Sequence, residues 1–210
     1  MESIKKFIVP IIVAIAGCGL AVLIYYMTTQ DHRFEIPGKT TVQTEIEKMG
    51  LKTSELDKDI FKFLSIKPFV WMEAVVDPKD YTKNRDMDIN VLYLEYDNEK
   101  DARDAIDDYY SNAKYMKKMH NDAGVIKTYY NGKKNRAYAI YDINMDSEWL
   151  VENFIMLQNS RNIFSNKPKV TYMYGGVYLD GKRVINVSTT EKSKKGDVQR
   201  FLDNLGLPKP

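Results

Sequence analysis

The sequence predicts an α+β protein in which one apolar N-terminal segment precedes a single domain with a mainly antiparallel sheet. Two observations predict this architecture. Residues 7–27 are uncharged and apolar over the length of a membrane-spanning helix. Behind them, β-rich and helical runs follow the order strand, strand, helix three times. We therefore expect an anchor (1–27), a linker (28–39), an N-terminal helical region (40–68) and an α+β domain (69–210).

The anchor prediction depends on Phe7 to Met27, which reads FIVPIIVAIAGCGLAVLIYYM. At about 1.5 Å per residue, a helix over this segment spans roughly 31 Å, close to the thickness of the hydrocarbon core of a bilayer. Lys5 and Lys6 precede the segment, and positive residues favour the cytoplasmic side. The sequence thus predicts a single-pass membrane protein with a cytoplasmic N-terminus and an extracytoplasmic C-terminal domain, in contact with membrane lipid through residues 7–27.

The same segment also has the features of two kinds of processed N-terminus, a cleaved signal peptide and a lipoprotein signal. Ala14-Ile15-Ala16 has the pattern that signal peptidase cuts. The four residues that end at Cys18, the only cysteine of the chain, resemble the lipobox of bacterial lipoproteins, in which the cysteine carries the lipid. Either cut leaves the apolar residues 19–27 exposed on the mature chain, which is unfavourable in water. The retained helix is therefore favoured. Cleavage after Ala16 and lipidation at Cys18 remain as alternatives. Each of these three possibilities places the domain outside the cytoplasm.

Cysteine usage and charge limit the classes of partner. The domain behind the anchor contains no cysteine, so it has no disulfide, which is more typical of an exported bacterial domain than of an animal one. The formal net charge is +2, and apart from Glu2, Lys5 and Lys6 the basic and acidic residues are nearly equal in number. This balance argues against a nucleic-acid partner and against strong adhesion of the domain as a whole to anionic lipid.

Periodicity and turn signals place the elements of the domain. The predicted strands are 69–76, 89–96, 125–130, 137–143, 170–179 and 184–188, and the predicted helices are 40–49, 54–67, 97–110, 146–157 and 197–205. Asn131-Gly132 and Asp180-Gly181 predict hairpin turns. The order from Ile89 to Leu179 is that of a ferredoxin-like fold. We expect a ferredoxin-like βαββαβ core, extended as three ββα units, with helices mainly on one face of the sheet.

The strand over residues 89–96 is apolar on both faces, so both faces of the sheet need a cover. The N-terminal helical region, through Phe61 and Leu64, is the simpler cover. The alternative is a partner that docks on a tyrosine-rich face formed by Tyr93, Tyr138, Tyr172 and Tyr174. Gly175-Gly176, in the middle of a predicted strand, indicates a bulge or a close approach of two backbones.

The patterns that carry chemistry are weak in this sequence. There are only two histidines, and with no cysteine in the domain the usual zinc ligand sets cannot be assembled. Ser111 to Lys114 matches S-x-x-K, but the companion motifs of acyl-transferring enzymes are absent. The acidic spacings that begin at Asp86 and Asp142 lack the glycine of a calcium loop. We therefore expect no catalytic residues, no metal ligands and no cofactor.

The leading functional expectation is a non-enzymatic binding or interaction module of the bacterial cell envelope. Its partner is an unidentified protein or envelope component, because nothing in the sequence identifies one. The first alternative is an extracytoplasmic sensor of a small ligand, with a pocket between the sheet and the N-terminal helices. A hydrolase that uses Asp, Glu, Lys or Tyr ranks third.

The anchor prediction can be tested on the protein made in cells. We expect the mature protein to have the mass of the uncut chain, because the apolar segment is retained. A membrane-impermeant reagent applied to intact cells should label a C-terminal tag. A mass that corresponds to a chain starting at Gly17 or at lipidated Cys18 contradicts the retained helix, and a tag protected from the reagent contradicts the topology.

Overall fold

The structure is a computed structural model that describes residues 34–55, 68–79, 88–119, 124–144 and 172–210. All of them belong to one compact unit, Phe34–Pro210. The strands are β1 Lys52–Glu55, β2 Val70–Val75, β3 Ile89–Glu95, β4 Gly124–Asn131, β5 Arg136–Asn144, β6 Tyr172–Asp180 and β7 Arg183–Thr189. The helices are α1 Lys39–Lys48, α2 Glu99–Asp104, α3 Asp107–Met119 and α4 Lys195–Asn204, and a 3-10 turn over Lys192–Lys194 leads into α4.

The described strands form one seven-stranded sheet in the order β1-β2-β3-β7-β6-β5-β4. Every neighbouring pair is antiparallel. Two of these pairs, β4 with β5 and β6 with β7, are the hairpins that the sequence predicts. The prediction of an α+β protein with a mainly antiparallel sheet is therefore confirmed.

The strand order differs from that of a ferredoxin-like sheet. That arrangement would place β3 between β5 and β6. Instead, β6 pairs with β5 along one edge and with β7 along the other, so both of its edges are occupied. Strands β4 to β7 consequently form a meander, and β3 joins it through β7.

Helices cover both faces of the sheet, whereas the sequence predicts them mainly on one. Strand β3 shows why, because Val91 and Tyr93 point into one buried cluster while Leu92 and Leu94 point into the other. Helices α1 and α4 contribute apolar residues to the first cluster, on what we call the α1–α4 face. Helices α2 and α3 contribute to the second. A sheet that is apolar on both sides needs both covers to exclude water.

Several predicted elements have different bounds or fall elsewhere. Residues 52–55 lie in a predicted helical region but form β1, which pairs with β2 at the edge of the sheet. The predicted single helix over 97–110 is divided into α2 and α3 by a turn at Ala105–Ile106, where the Ile106 N–H bonds the Arg103 carbonyl at 3.0 Å and tightens the chain.

Three parts of the prediction lie outside the described residues. They are the anchor 7–27, the helical stretch 56–67 with Phe61 and Leu64, and the predicted helix 146–157. Within the ranges that are described, no helix combines the length and the apolar character needed to cross a membrane.

A buried asparagine joins the two hairpin turns at one end of the sheet. Asn135 is fully buried and has a φ of 44°, a left-handed conformation that asparagine tolerates. Its amide donates to the Glu99 carbonyl at 2.9 Å and to the Gly181 carbonyl at 2.5 Å, and its side-chain oxygen accepts from Arg103 Nε at 2.8 Å. The Asn135 carbonyl accepts from the Gly181 N–H at 3.0 Å. The β4–β5 connection is therefore a four-residue turn closed by Asn135, and not the two-residue turn that Asn131-Gly132 predicts.

The two glycines of β6 reflect close packing of backbones. Gly175 has a φ of 133°, and a Cβ added there would lie 2.0 Å from the carbonyl oxygen of Val187. A Cβ on Gly176 would lie 2.5 Å from Cγ2 of Ile140. The register with both neighbouring strands is continuous, so the close approach is confirmed and there is no bulge.

The Asn135 contacts lead to a test of stability. We expect Asn135→Ala to lower the free energy of unfolding by about 2–4 kcal/mol, because it leaves two partly buried carbonyls and Arg103 without their hydrogen bonds. Urea unfolding followed by circular dichroism measures the difference. Asn131→Ala in the same turn is the matched control, because its side chain makes only an exposed 3.3 Å contact with the Lys134 N–H. Equal stability of the two variants would contradict the role assigned to Asn135.

Candidate functional site

The candidate site is a pocket of about 440 Å³ at one end of the sheet. It lies where the C-terminal half of α1 and one side of α4 meet the end of β2 and the beginning of β3. Its volume falls in the range used by pockets for small molecules, roughly 300–1,000 Å³. The residues that line it are Glu45, Lys48, Met49, Leu51, Val76, Asp88, Ile89, Lys194, Asp197, Arg200, Phe201 and Asn204.

Part of the lining of the pocket is apolar. Ile89 and Phe201 are buried residues of the core on the α1–α4 face, so the wall they form is fixed by packing. Met49 and Leu51 are partly buried against the same core, on either side of Gly50, whose φ of 78° turns the chain out of α1. This surface suits the apolar part of a ligand.

One side of the rim is a hydrogen-bonded contact between the two helices. Glu45 accepts a hydrogen bond from Lys48 Nζ at 2.6 Å and another from Asn204 Nδ2 at 2.7 Å. These bonds, with that to Lys48 the larger effect, lower the pKa of Glu45 below the ordinary glutamate value. Glu45 is therefore ionised at neutral pH and fastens α1 to α4 at the edge of the pocket.

The other side of the rim carries charges from the first turns of α4. Asp197 pairs with Arg200 at 2.7 Å and lies 3.9 Å from Lys194 Nζ. Asp88, just before β3, lines the pocket as well, and its backbone carbonyl accepts a hydrogen bond from the Thr189 hydroxyl. Charged side chains of both signs thus line the pocket together with the apolar ones, and this combination favours an amphipathic ligand with a charged or zwitterionic group.

The four tyrosines predicted as a binding face lie elsewhere. Tyr93, Tyr138, Tyr172 and Tyr174 are all buried, with at most 6% of any residue exposed. All four belong to the core on the α1–α4 face, so they are not a surface for a partner. Tyr138 packs within 5.9 Å of Phe34 and 6.5 Å of Tyr178, ring to ring. Burial raises the pKa of Tyr93, and its hydroxyl donates to Glu95, which raises that pKa further.

Tyr172 and Tyr174 take part in a cluster with residues at the beginning of α4. Lys195 Nζ lies 5.0 Å from the centre of the Tyr174 ring and forms a 2.6 Å ion pair with Asp142. Lys192 Nζ lies 5.6 Å from the centre of the Tyr172 ring. Cation–π contacts and an ion pair thus hold the start of α4 against β5 and β6. Asp142, which begins one of the calcium-like spacings, is engaged by a lysine.

Cys18, the candidate lipidation site, lies outside the described residues. Among the residues that the structure does describe, no group of three or more His, Cys, Asp or Glu side chains is placed to hold a metal ion. The sequence does not predict the pocket residues. The Glu45–Asn204 bond joins residues that are 159 positions apart, and no local pattern signals such a contact.

The fold and the site together define an α+β domain with a sheet covered on both faces and a pocket between its first and last described helices. No family model, no curated protein and no solved structure matches the chain.

The lowered pKa of Glu45 predicts a pH-dependent contribution to stability. Because the folded pKa is below the unfolded one, the stabilisation is complete above the ordinary glutamate pKa and is lost as the pH falls through the folded value. We expect Glu45→Gln to lower the free energy of unfolding at pH 7, and the difference from the unmodified chain to shrink in acid.

Urea titrations over a pH series measure this difference. Glu47→Gln is the control, because Glu47 is an exposed residue of the same helix whose side chain accepts a hydrogen bond from Gln43. A difference for Glu45→Gln that does not change with pH contradicts the ionised contact.

Proposed function

We propose that this chain is a single-pass membrane protein of the bacterial cell envelope, and that its extracytoplasmic domain binds a small amphipathic ligand in the pocket between α1 and α4. The pocket is the observation that carries the proposal. Its volume lies in the range of small-molecule sites, and its lining combines apolar side chains with charged ones of both signs. The membrane location is supported by the sequence of residues 7–27 and by Lys5 and Lys6.

The paired charges that line the pocket support reversible binding of a ligand more than catalysis. At its rim, Glu45 is paired with Lys48 and Asp197 with Arg200. The bonds from Lys48 and Asn204 lower the pKa of Glu45, so this carboxylate is a poor proton donor at neutral pH, but it can orient a charged ligand group. A ligand with an apolar portion and a charged head satisfies both parts of the site, and a domain tethered outside the cell would use such a site to sense or carry it.

A protein partner is the second candidate function, and an edge of the sheet favours it. β4 is the last strand at one side, and its outer backbone groups have no strand beside them among the described residues. Val125 and Tyr130 on this strand are both 44% exposed. An extended segment of another protein could add to such an edge. The buried tyrosines, in contrast, do not offer a surface to a partner.

The test of the pocket is a variant that fills it. Val76 lines the pocket and is 44% exposed, so tryptophan at this position should occupy the cavity without entering the core. Dansyl-glycine, which combines an apolar ring system with a carboxylate, is a suitable fluorescent probe for the full chain in nanodiscs. We expect Val76→Trp to weaken its binding by about tenfold or more, equivalent to about 1.4 kcal/mol.

Val125→Trp is the matched control, because Val125 is the same residue type with the same exposure on the edge strand β4, away from the pocket. We expect this control to bind the probe as the unmodified chain does, after subtraction of the signal from empty nanodiscs. Equal binding by all three proteins, or none by any, would overturn the proposed pocket. A protein partner at the β4 edge would show the reverse pattern, being lost on Val125→Trp and kept on Val76→Trp.

A further inference from the structure

We infer that one end of the sheet rests against the anionic surface of the membrane, with the pocket at the opposite end, away from the bilayer. This end, the turn end, consists of the β4–β5 turn (132–135), the β6–β7 turn (181–182), Phe69 before β2, and the segment 34–38. The inference rests on the membrane anchor of the proposed function, and it adds an orientation and a lipid contact to it.

Strand pairing places these parts at the same end. Arg136 on β5 is opposite Asp180 on β6, and Asp180 is opposite Arg183 on β7. Arg183 is in turn opposite Glu95 at the end of β3, whose carbonyl accepts the Phe69 N–H at 2.8 Å. The bonds of Asn135 to both turns hold this end together.

The side chains of the turn end have the chemistry of a bilayer interface. Lys133, Lys134 and Lys182 are exposed, and within the described part of the chain none of them forms an ion pair. Phe69 is 38% exposed and Tyr130 is 44% exposed. Lysines that are close to an anionic leaflet are attracted to phosphate headgroups, and aromatic rings favour the region between headgroups and acyl chains.

The chain enters the domain at the turn end. The Ile36 N–H donates to Asp180 Oδ2 at 3.2 Å, and the Ile36 carbonyl accepts from Arg183 Nη1 at 3.0 Å. Phe34 is buried against the Tyr178 ring, with the ring centres 6.0 Å apart. The predicted anchor ends at Met27. From there to Phe34, a fully extended chain spans at most about 25 Å. With the predicted anchor in the bilayer, this chain length limits the distance between Phe34 and the membrane surface.

Two of the acidic groups at this end, Glu35 and Asp180, are paired with Arg136, whereas Asp97 and Glu99 are exposed. Glu35 lies 3.4 Å from Arg136, whose Nε also donates to Asp180 at 2.6 Å. Glu99 lies in the first turn of α2, where a carboxylate is favoured by the helix dipole, and Asp97 precedes its cap. The near-neutral charge of the domain as a whole gives no general attraction to anionic lipid, so the contact depends on the three turn lysines and on the short chain that leads to the predicted anchor.

The pocket lies at the other ends of the same strands. Val76 follows the last residue of β2, and Ile89 is the first residue of β3, whereas Phe69 and Glu95 are at the turn end. A strand of six or seven residues separates the two ends by roughly 20 Å. With the turn end on the membrane, a ligand in the aqueous space outside the cell reaches the pocket without crossing the lipid surface.

The experiment uses the full chain with Cys18→Ser, reconstituted in vesicles of phosphatidylcholine with phosphatidylglycerol and a headgroup-nitroxide lipid. One fluorophore is placed on Gly132→Cys in the turn end and, in a second protein, on Lys52→Cys, an exposed residue at the pocket end of β1. We expect the fluorophore at position 132 to be quenched several-fold more than that at position 52. We also expect this contrast to fall in high salt and in vesicles of phosphatidylcholine alone.

Substitution of the three turn lysines distinguishes an electrostatic contact with lipid from simple closeness to the bilayer caused by the short connection to the anchor. We expect Lys133→Gln, Lys134→Gln and Lys182→Gln together to lower the contrast at position 132 at least twofold. The matched control removes three exposed lysines of α3 instead, with Lys114→Gln, Lys117→Gln and Lys118→Gln, and should leave the contrast unchanged. Equal quenching at both positions, or a contrast unaffected by the three turn substitutions, overturns the inference.

Flotation of the vesicles distinguishes this failure from a failure of the proposed function. A chain that does not float with the vesicles overturns the anchor and, with it, the orientation. A chain that floats but shows equal quenching overturns the orientation alone, and the dansyl-glycine measurement then still tests the pocket.

Discussion

One buried amide, that of Asn135, links both hairpin turns at one end of the sheet to a helix. Asn135 bonds α2 through Glu99 and Arg103, and it bonds the β6–β7 turn through Gly181. A buried asparagine is stable only when its donors and acceptor are satisfied, and here each bond reaches an element that is distant in the chain. The contact therefore sets the turn end of the meander and fixes α2 over the second core. It also keeps Asp180 and Arg183, the two residues that bond Ile36, in place.

A sheet that is apolar on both faces determines the rest of the architecture. Helices α2 and α3 cover one face, while α1, α4 and the segment 34–38 cover the other. Since α1 and α4 come from opposite ends of the domain, their contact is made by side chains, chiefly Glu45 and Asn204. The pocket lies beside this contact, so binding there would couple to the junction of the two helices. Ligand binding in the pocket would then have a physical route to a change in helix packing.

How far the sequence could predict the fold depends on the distance along the chain over which each contact acts. The hairpins were predictable because a turn and two alternating strands are adjacent in sequence, as with Asp180, Gly181 and Arg183. The order of the hairpins in the sheet was not predictable, because a ferredoxin-like sheet and this meander have the same local sequence patterns. The close approach at Gly175 was predictable, since glycine weakens the interior of a strand unless a neighbouring backbone leaves no room for a side chain. The four-residue turn at Asn135 was not predictable, because its cause is a set of distant hydrogen bonds.

By itself the sequence determined the α+β class, the β4–β5 and β6–β7 hairpins, the positions of α1 and α4 to within a few residues, and the prediction of an apolar anchor at residues 7–27. These follow from periodicity and hydrophobicity, which act over short stretches of chain. Only the tertiary structure decided the strand order, the burial of Tyr93 and Tyr174, and the pocket beside Glu45 and Asn204. The physical reason is that a tyrosine on an apolar strand has the same pattern whether a helix or a partner covers it. Whether a helix or a partner covers the tyrosine is decided by side chains that come into contact only after the chain has folded.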